Sequence, residues 1–235
     1  MPDVPVSESL KRARQRLAQA LEGAGRPADA ARLLAVSKTK PAAMIREAHA
    51  CGQRDFGENY LQEALDKQGE LADLTDIVWH FIGPLQSNKT RAVAEHFAWV
   101  HSVDRIKLAR RLSEQRPASL GPLNVCLQVN VSGEASKSGV APDDLDALAD
   151  EVAALPNLRL RGLMAIPAPA SDLAAQRRPL ARLRQLLEAL RQRHEQASLD
   201  TLSMGMSDDL EAAILEGATL VRLGTAIFGA RASRP

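Results

Sequence analysis

Cysteine, tyrosine and lysine are scarce in this chain, and each scarcity narrows what the protein can be. Its 235 residues include two cysteines and one tyrosine, and the 30 basic residues divide into 23 arginines and seven lysines. Two cysteines, Cys51 and Cys126, are too few for a disulfide framework, which favours a reducing, cytoplasmic compartment. With seven lysines, the search for a nucleophilic amine has few candidates.

Long apolar runs and an excess of charge are also missing. No apolar run approaches the ~20 residues that span a bilayer, and the N-terminal segment carries charges throughout, so neither a membrane helix nor a secretory signal is predicted. The formal net charge of +1 provides no global field for nucleic acid. His96 and His101 lack partners at ligand spacing, so no metal site is predicted. Length and composition predict a single domain over residues 1–235.

What the chain does have is a regular alternation of strand-like and helix-like segments after a leading amphipathic helix. Eight β-rich segments are predicted, nearly all followed by a helix: 32–37, 54–57, 77–82, 99–102, 123–131, 159–165, 201–204 and 220–224. This order favours a closed (β/α)8 TIM barrel of the α/β class. A doubly wound open sheet is the alternative, because one misassigned strand would change the count. Only eleven residues follow Gly224, so we expect the N-terminal helix to cover part of the last helix position.

Lys38 follows the first apolar strand directly. In a barrel the carboxyl ends of the strands share one mouth, and a lysine held there would be partly desolvated. Desolvation disfavours the ammonium form and frees the amine to attack an aldehyde. Lys40 is a rival of the same parity, and a solvated lysine at a strand end is the simpler alternative.

Two small-residue turns follow the last two strands, in Ser203–Asp209 (SMGMSDD) and Arg222–Gly229 (RLGTAIFG). Backbone N–H groups at such turns, with the hydroxyls of Ser207 and Thr225, can hold a phosphate. The loops after strands seven and eight are the usual phosphate site of barrel enzymes. A purely structural alternative makes Ser207 the N-cap of the following helix, with two aspartates in its first turn.

Seven ordered segments carry a resemblance to a known family: AVSKTKP (35–41), DFGENYLQEA (55–64), WHFIGPLQSNK (79–89), VNVSGEASKSG (129–139), GLMAIP (162–167), LSMGMSDDLEAAI (202–214) and VRLGTAIFGAR (221–231). The chain resembles the pyridoxal 5′-phosphate (PLP) homeostasis proteins, the YggS or PROSC family, over almost its whole length. The resemblance implies a barrel like the N-terminal domain of alanine racemase, without that enzyme's second domain and with an additional N-terminal helix.

The resemblance also implies where the cofactor PLP is held. It assigns an imine to Lys38 in preference to Lys40. It places the phosphate near Ser207, Gly224 and Thr225, and Arg222 beside the pyridine nitrogen. It implies three further residues lining the pocket: Asn59, His80 and Met164. From the residues alone, His80 in its apolar strand is more typical of a hydrogen-bonded core histidine, and Arg222 could equally be structural.

The implied role is to bind, buffer or deliver PLP as a monomer or weak dimer, with apo PLP-dependent enzymes as candidate recipients and neither nucleic acid nor membrane as partner. Arginine only donates hydrogen bonds, so Arg222 would keep the pyridine nitrogen unprotonated and the ring a weaker electron sink. A PLP-dependent racemase is the main alternative, and a barrel enzyme without PLP is a weaker one. Racemisation needs a base on each face of Cα, and Tyr60, the one tyrosine, has no such role in the family pattern. Lys137 is predicted as a secondary functional lysine, with a solvated loop lysine as the alternative.

Overall fold

Eight parallel strands close into a barrel in the order of the sequence. The computed structural model describes residues 4–135 and 138–230. Its strands are β1 (Arg32–Val36), β2 (Asp55–Glu58), β3 (Val78–Phe81), β4 (Trp99–Val103), β5 (Leu123–Gln128), β6 (Leu158–Met164), β7 (Thr201–Ser203) and β8 (Leu220–Leu223). Each strand pairs with the next, and β1 pairs with β8, from Arg32 opposite Leu220 to Ala35 opposite Leu223. The predicted closed barrel is confirmed, and the open-sheet alternative is wrong.

Helices surround this barrel. In the described part of the chain they are α1 (Val6–Gly23), α2 (Ala42–Ala50), α3 (Leu61–Glu70), α4 (Thr90–His96), α5 (Ile106–Gln115), α6 (Leu145–Ala153), α7 (Leu173–Arg193), α8 (Leu210–Leu215) and α9 (Thr225–Phe228). Single 3-10 turns lie at Ser87–Lys89, Ala118–Leu120 and Pro142–Asp144. Within the ranges described, no helix combines the length and apolar character needed to cross a bilayer.

The N-terminal helix takes the place that a full last helix would occupy. The buried side chains of α1 are Val6, Leu10, Ala13, Leu17 and Leu21, which recur at the three- and four-residue spacing of one helix face. This face packs against α8 and α9, and α9 is a single turn of four residues. The expectation that the leading helix covers this gap is confirmed.

Two elements end earlier than their patterns predict. Strand β5 stops at Gln128 rather than residue 131, because the N–H of Asn130 bonds to the carbonyl of Val140 in its own loop. Helix α7 ends at Arg193 rather than residue 196, where His194 turns to φ −125°, ψ 64°.

Alternate residues of the strands pack in two separate layers, one between the barrel and its helices and one inside the barrel. Ala35 packs in the large cluster that includes Ile45 on α2, between barrel and helices. Leu34, Val36 and Ile82 form their own cluster. Because successive side chains of a strand point to opposite faces, Lys38 shares the inward parity of Leu34 and Val36.

Candidate functional site

A cavity of about 610 Å³ lies at the carboxyl ends of the strands. Its lining comes from the ends of β1, β2, β3, β6, β7 and β8: Val36, Lys38, Thr39, Lys40, Asn59, Ile82, Ile166, Met206, Ser207, Asp208, Arg222, Gly224, Thr225, Ala226 and Gly229. The volume is in the range of small-molecule sites. Lys38, Lys40 and Arg222 bring three cationic side chains against the single carboxylate of Asp208. This balance suits an anionic ligand.

The segment after β1 treats its two lysines differently. Lys38 is half-buried and lines the cavity. Thr39 has φ 64°, a conformation that residues other than glycine seldom adopt, and it turns the chain towards α2. The ammonium group of Lys40 donates a hydrogen bond of 2.6 Å to the carbonyl of Ala230. Lys40 is therefore held at the chain segment that follows α9.

A buried ion pair holds the residue before Lys38. Nζ of Lys67 donates to the carbonyl of Ser37 and to Oε1 of Glu58, each at 2.8 Å. The same Oε1 accepts a 2.8 Å hydrogen bond from the Ser37 hydroxyl. Burial raises the pKa of Glu58 above its ordinary value, although Lys67 and Ser37 oppose the shift. The carbonyl and the hydroxyl of Ser37 are thus both held by the side chains of this ion pair.

The residue after Lys38 is held from the same direction. Glu63 on α3 accepts a 2.5 Å hydrogen bond from the N–H of Thr39, and its carboxylate lies 2.8 Å from Nζ of Lys67. The backbone on both sides of Lys38 is therefore tied to α3.

Asn59 projects an unpaired amide oxygen beside the cavity. Its Oδ1 is buried and has no hydrogen-bond partner among the described residues. Gly83, in the loop after β3, packs on the backbone of Asn59, where a Cβ would lie 2.3 Å from the Asn59 carbonyl. Because an unsatisfied buried acceptor is costly, this amide is suited to a ligand that brings a hydrogen-bond donor.

The turn after β7 places Ser207 at the cavity and not on a helix. Helix α8 begins at Leu210, and its N-cap is Asp209, whose Oδ1 accepts a 2.7 Å hydrogen bond from the N–H of Met206. The alternative in which Ser207 is the N-cap is therefore wrong, and the helix starts two residues later than the pattern predicts. Arg16 of α1 donates to the Ser207 carbonyl at 2.7 Å, so the leading helix braces this turn.

The turn after β8 lies close against β1. Gly224 precedes α9, and a Cβ on it would lie 3.3 Å from the carbonyl oxygen of Val36. Glycine therefore allows the two strand ends to approach. Thr225 follows and is exposed towards the cavity it lines. Ser207, Gly224 and Thr225, predicted together as a phosphate site, lie in one lining with Lys38.

Arg222 is buried at the inner end of the cavity, 5% exposed. Its guanidinium donates to the Ser203 hydroxyl at 2.8 Å and to the Ala165 carbonyl at 3.0 Å. Burial lowers the pKa of Arg222 to about 10, so the group remains a cation at neutral pH. Both of these partners are neutral, and neither is a carboxylate.

His80 and Met164 do not reach the cavity surface. His80 is fully buried and hydrogen-bonds to Asp55 at 2.8 Å and to His101 at 2.9 Å. Met164 is fully buried in a cluster with Trp99 and Cys126. The residue-based interpretation of His80 as a hydrogen-bonded core histidine agrees with this placement. Lys137 lies outside the described residues.

The residues that hold the cavity-lining side chains in place could hardly be predicted from the sequence. Glu58 and Lys67 are nine residues apart on different elements, and Ser203 and His101 are 102 residues apart. Only a barrel of known register brings them together. One local signal was available: Glu58 directly follows the predicted strand 54–57, and a carboxylate that is buried there requires a partner.

The sequence and the fold both match known proteins. The family model "Alanine racemase, N-terminal domain" matches residues 9–232. A "Pyridoxal phosphate homeostasis protein" of Pseudomonas aeruginosa is 69% identical over 226 residues, which is 96% of each chain.

Two solved structures of PipY from Synechococcus elongatus share the fold. The structure without PLP has a TM-score of 0.86 and 42% identity, and the structure with PLP bound has a TM-score of 0.84 and 41% identity. In both comparisons 95% of this chain and 100% of the other are covered.

Proposed function

Because the chain belongs to the family of pyridoxal phosphate homeostasis proteins, we propose that it binds PLP as an imine on Lys38. Holding and releasing this ligand in the cytoplasm is then its function, with no substrate turned over. The observation that carries the proposal is one cavity lined by Lys38, Arg222, Gly224 and Thr225. The similar PipY structure with PLP bound supports it.

The geometry around β1 supports Lys38 as the imine residue. In the linkage, the Lys38 amine attacks the aldehyde carbon, a C=N bond forms and water leaves. Lys40 donates a hydrogen bond to the carbonyl of Ala230, which draws its ammonium group to the chain segment after α9. The clamp by Lys67 and Glu63 fixes the backbone that carries Lys38. When bound, PLP supplies an aldehyde that can be passed on to another amine.

The rest of the lining fits the two other polar ends of the ligand. Ser207, Gly224 and Thr225 lie where the phosphate of a barrel ligand is usually held. Arg222 would face the ring nitrogen, and Asn59 would contribute its unpaired amide. As a pure donor, Arg222 leaves the ring nitrogen unprotonated, which weakens the ring as an electron sink. An arginine at this position therefore favours a role in carrying PLP rather than in catalysis.

Delivery to apo PLP-dependent enzymes is the proposed outcome of release. The name of the similar Pseudomonas aeruginosa protein, a pyridoxal phosphate homeostasis protein, supports a role of this kind. Tyr60, the one tyrosine, is 50% exposed and is not part of the cavity lining. Lys137 as a secondary lysine on this route stays a prediction.

The test combines trapping with transfer. Borohydride reduction of the loaded protein should fix the label on Lys38, as shown by peptide mapping. Lys38→Ala should lose the imine absorbance, whereas Lys40→Ala, the matched control, should keep it. The loaded protein should also reactivate an apo PLP enzyme, timed against free PLP at equal concentration. Label on Lys40 or Lys137 in place of Lys38, or no reactivation, would contradict the proposal.

A further inference from the structure

A linear chain of hydrogen bonds, called the file, crosses the interior of the barrel from one mouth to the other. It begins at Asp55 on β2, passes His80 on β3 and His101 on β4, and reaches Arg222 through Ser203 on β7. The distances are 2.8 Å from Asp55 to His80, 2.9 Å between the histidine rings, 2.7 Å from His101 to Ser203 and 2.8 Å from Ser203 to Arg222. His80, His101 and Ser203 are fully buried.

The Asp55 carboxylate and the neutrality of the two histidines together set the direction of the hydrogen bonds in the file. The Asp55 carboxylate only accepts hydrogen bonds, so Nε2 of His80 carries a proton. Burial lowers the pKa of both histidines, which are therefore neutral at pH 7. Neutral His80 must accept at Nδ1, which requires a proton on Nε2 of His101.

The remaining links follow in the same way. Nδ1 of His101 then accepts, and the Ser203 hydroxyl must donate to it. The lone pairs of Ser203 are left to accept from the guanidinium of Arg222. All donors point from Arg222 towards Asp55, so no link can rotate without breaking its neighbour.

The far end of the file is open to a second cavity. Asp55 lines a space of about 420 Å³ together with Arg14, Arg32 and Arg54, and its carboxylate lies 3.8 Å from Arg32. Burial alone would raise the pKa of Asp55, but the hydrogen bond from His80 and the charge of Arg32 lower it. A full negative charge is thus held opposite the Arg222 cation. The nearby carboxylate of Asp209 also favours the charged form of Arg222.

We propose that Asp55, His80, His101 and Ser203 are positioning residues that aim Arg222 as a hydrogen-bond donor at the ring nitrogen of the bound ligand. The inference rests on the proposed function, because it takes the ligand to be PLP with its ring towards Arg222. Ser203 and the Ala165 carbonyl occupy two guanidinium nitrogens, which fixes the plane of the group. Asp55 keeps the file polarised in one direction.

The first test compares PLP with 1-deazapyridoxal 5′-phosphate, in which a carbon replaces the ring nitrogen. Ser203→Ala should weaken PLP about tenfold, the scale of one lost hydrogen bond, and leave the affinity for the deaza analogue unchanged. Asp55→Asn keeps the side-chain size and removes the charge, and it should weaken PLP about threefold with the same selectivity. Asp76→Asn is the matched control, because Asp76 also pairs with a histidine, His49 at 2.6 Å, away from the file.

Equal weakening of both ligands would mean a general structural effect and would overturn the proposal, as would no change in either. The control must leave both affinities unchanged. Borohydride trapping of the imine in each variant separates the two claims. Variants that still trap PLP on Lys38 without discriminating the analogue contradict the positioning role alone, whereas failure to trap in the unmodified protein contradicts the proposed function.

A second test needs no ligand. Nitrogen-15 spectra of the histidine-labelled protein at neutral pH should show two buried rings protonated at Nε2 only. In Asp55→Asn the Nε2 signal of His80 should shift more than any signal of His49. If either buried ring were protonated at Nδ1, or at both nitrogens, in the unmodified protein, the direction of the file would be contradicted. This measurement decides the matter even if Ser203→Ala does not fold.

Discussion

At the scale of single residues, the buried ion pair of Glu58 and Lys67 is the feature near the cavity that is most sensitive to substitution. Both side chains are buried, at 0% and 6% exposure, with 2.8 Å between their charged atoms. Oε2 of Glu58 is buried and has no hydrogen-bond partner among the described residues. Removing one partner of such a pair strands the other charge away from water. The pair therefore makes the position of Lys38 sensitive to a single substitution.

Lys67→Met should lower the free energy of unfolding by about 3–5 kcal/mol at pH 8. The loss should be smaller at pH 5. Without Lys67 the folded-state pKa of Glu58, already raised by burial, rises further. Below the unfolded-state pKa of about 4.3, the carboxyl group of Glu58 is neutral in both the folded and the unfolded state. Its burial then carries no charge penalty. The penalty therefore grows as pH rises through the folded-state pKa.

Urea unfolding at the two pH values measures this difference. Glu58→Gln combined with Lys67→Met should recover a large part of the stability, because the fully buried charge of Glu58 is then gone and the carboxylate of Glu63 is partly exposed. Lys107→Met on the exposed face of α5 is the control and should stay within about 0.5 kcal/mol. A loss in Lys67→Met that does not depend on pH would contradict the argument.

At the scale of elements, the turns after β7 and β8 bring two hydroxyl groups to one side of the cavity. Ser207 and Thr225 come from different turns and share one lining. The pattern of small residues after two strands was enough to predict this pairing. It was not enough to predict the start of α8 at Leu210, because the choice of Asp209 over Ser207 as N-cap depends on the Met206 N–H.

Ser207→Ala with Thr225→Val should weaken PLP by roughly tenfold and unphosphorylated pyridoxal by much less, because the hydroxyls would contact only the phosphate. Equilibrium titration of both ligands gives the ratio. Ser198→Ala, in the segment before β7 and outside the cavity lining, is the control. If both ligands weaken equally, the phosphate lies elsewhere.

Helix α1 acts on the same turn from outside the barrel. Arg16 holds Glu211 with two hydrogen bonds of 2.8 Å and the Ser207 carbonyl at 2.7 Å. Its exposed ion pair contributes at most about 1 kcal/mol to stability. The carbonyl contact, by contrast, sets the conformation of a cavity-lining residue. The effect of Arg16 should therefore fall on binding more than on stability.

Arg16→Ala should change the free energy of unfolding by about 1 kcal/mol or less and should weaken PLP more than pyridoxal. Arg46→Ala is a matched control, since Arg46 holds Asp73 with two hydrogen bonds and also donates to the Glu70 carbonyl, away from the cavity. Thermal unfolding and ligand titration of both variants test this. Equal binding by the two variants would contradict the bracing role.

At the scale of the whole molecule, the barrel follows from the sequence but its cross-barrel contacts do not. Eight apolar segments at regular spacing predicted the strands, and Lys38, Asn59, Ser207, Arg222, Gly224 and Thr225 all line the cavity. The family resemblance implied that His80 and Met164 line the pocket, but both lie outside the cavity lining. Their place is decided by strand register, which turns His80 towards Asp55 and His101. Register is set by packing across the barrel, and a linear pattern does not contain it.

The protein should not racemise amino acids at a useful rate. Lys38 could act on one face of a substrate, but a second base for the opposite face is absent from the described lining apart from Lys40 and Asp208. Lys40 is hydrogen-bonded to the carbonyl of Ala230. Whichever group acted as the second base, a ring nitrogen left unprotonated by Arg222 would stabilise the carbanion poorly. Exchange of Cα protons with solvent deuterium across a panel of L-amino acids, with chiral analysis, measures this. Turnover near ~1 per second that is lost in Lys38→Ala would favour the racemase alternative.

The pairing of β1 with β8 has a consequence for the synthesis of the protein on the ribosome. The cavity joins residues 36–59 to residues 166–229, and β8 is the last strand to leave the ribosome. Lys38 is therefore synthesised long before Arg222 and Thr225, and the growing chain carries this lysine without the complete cavity around it. Domains fold as units once their last element is available. If the protein stores PLP as proposed, the capacity of this cavity for the ligand rises with the number of completed molecules and not with translation in progress.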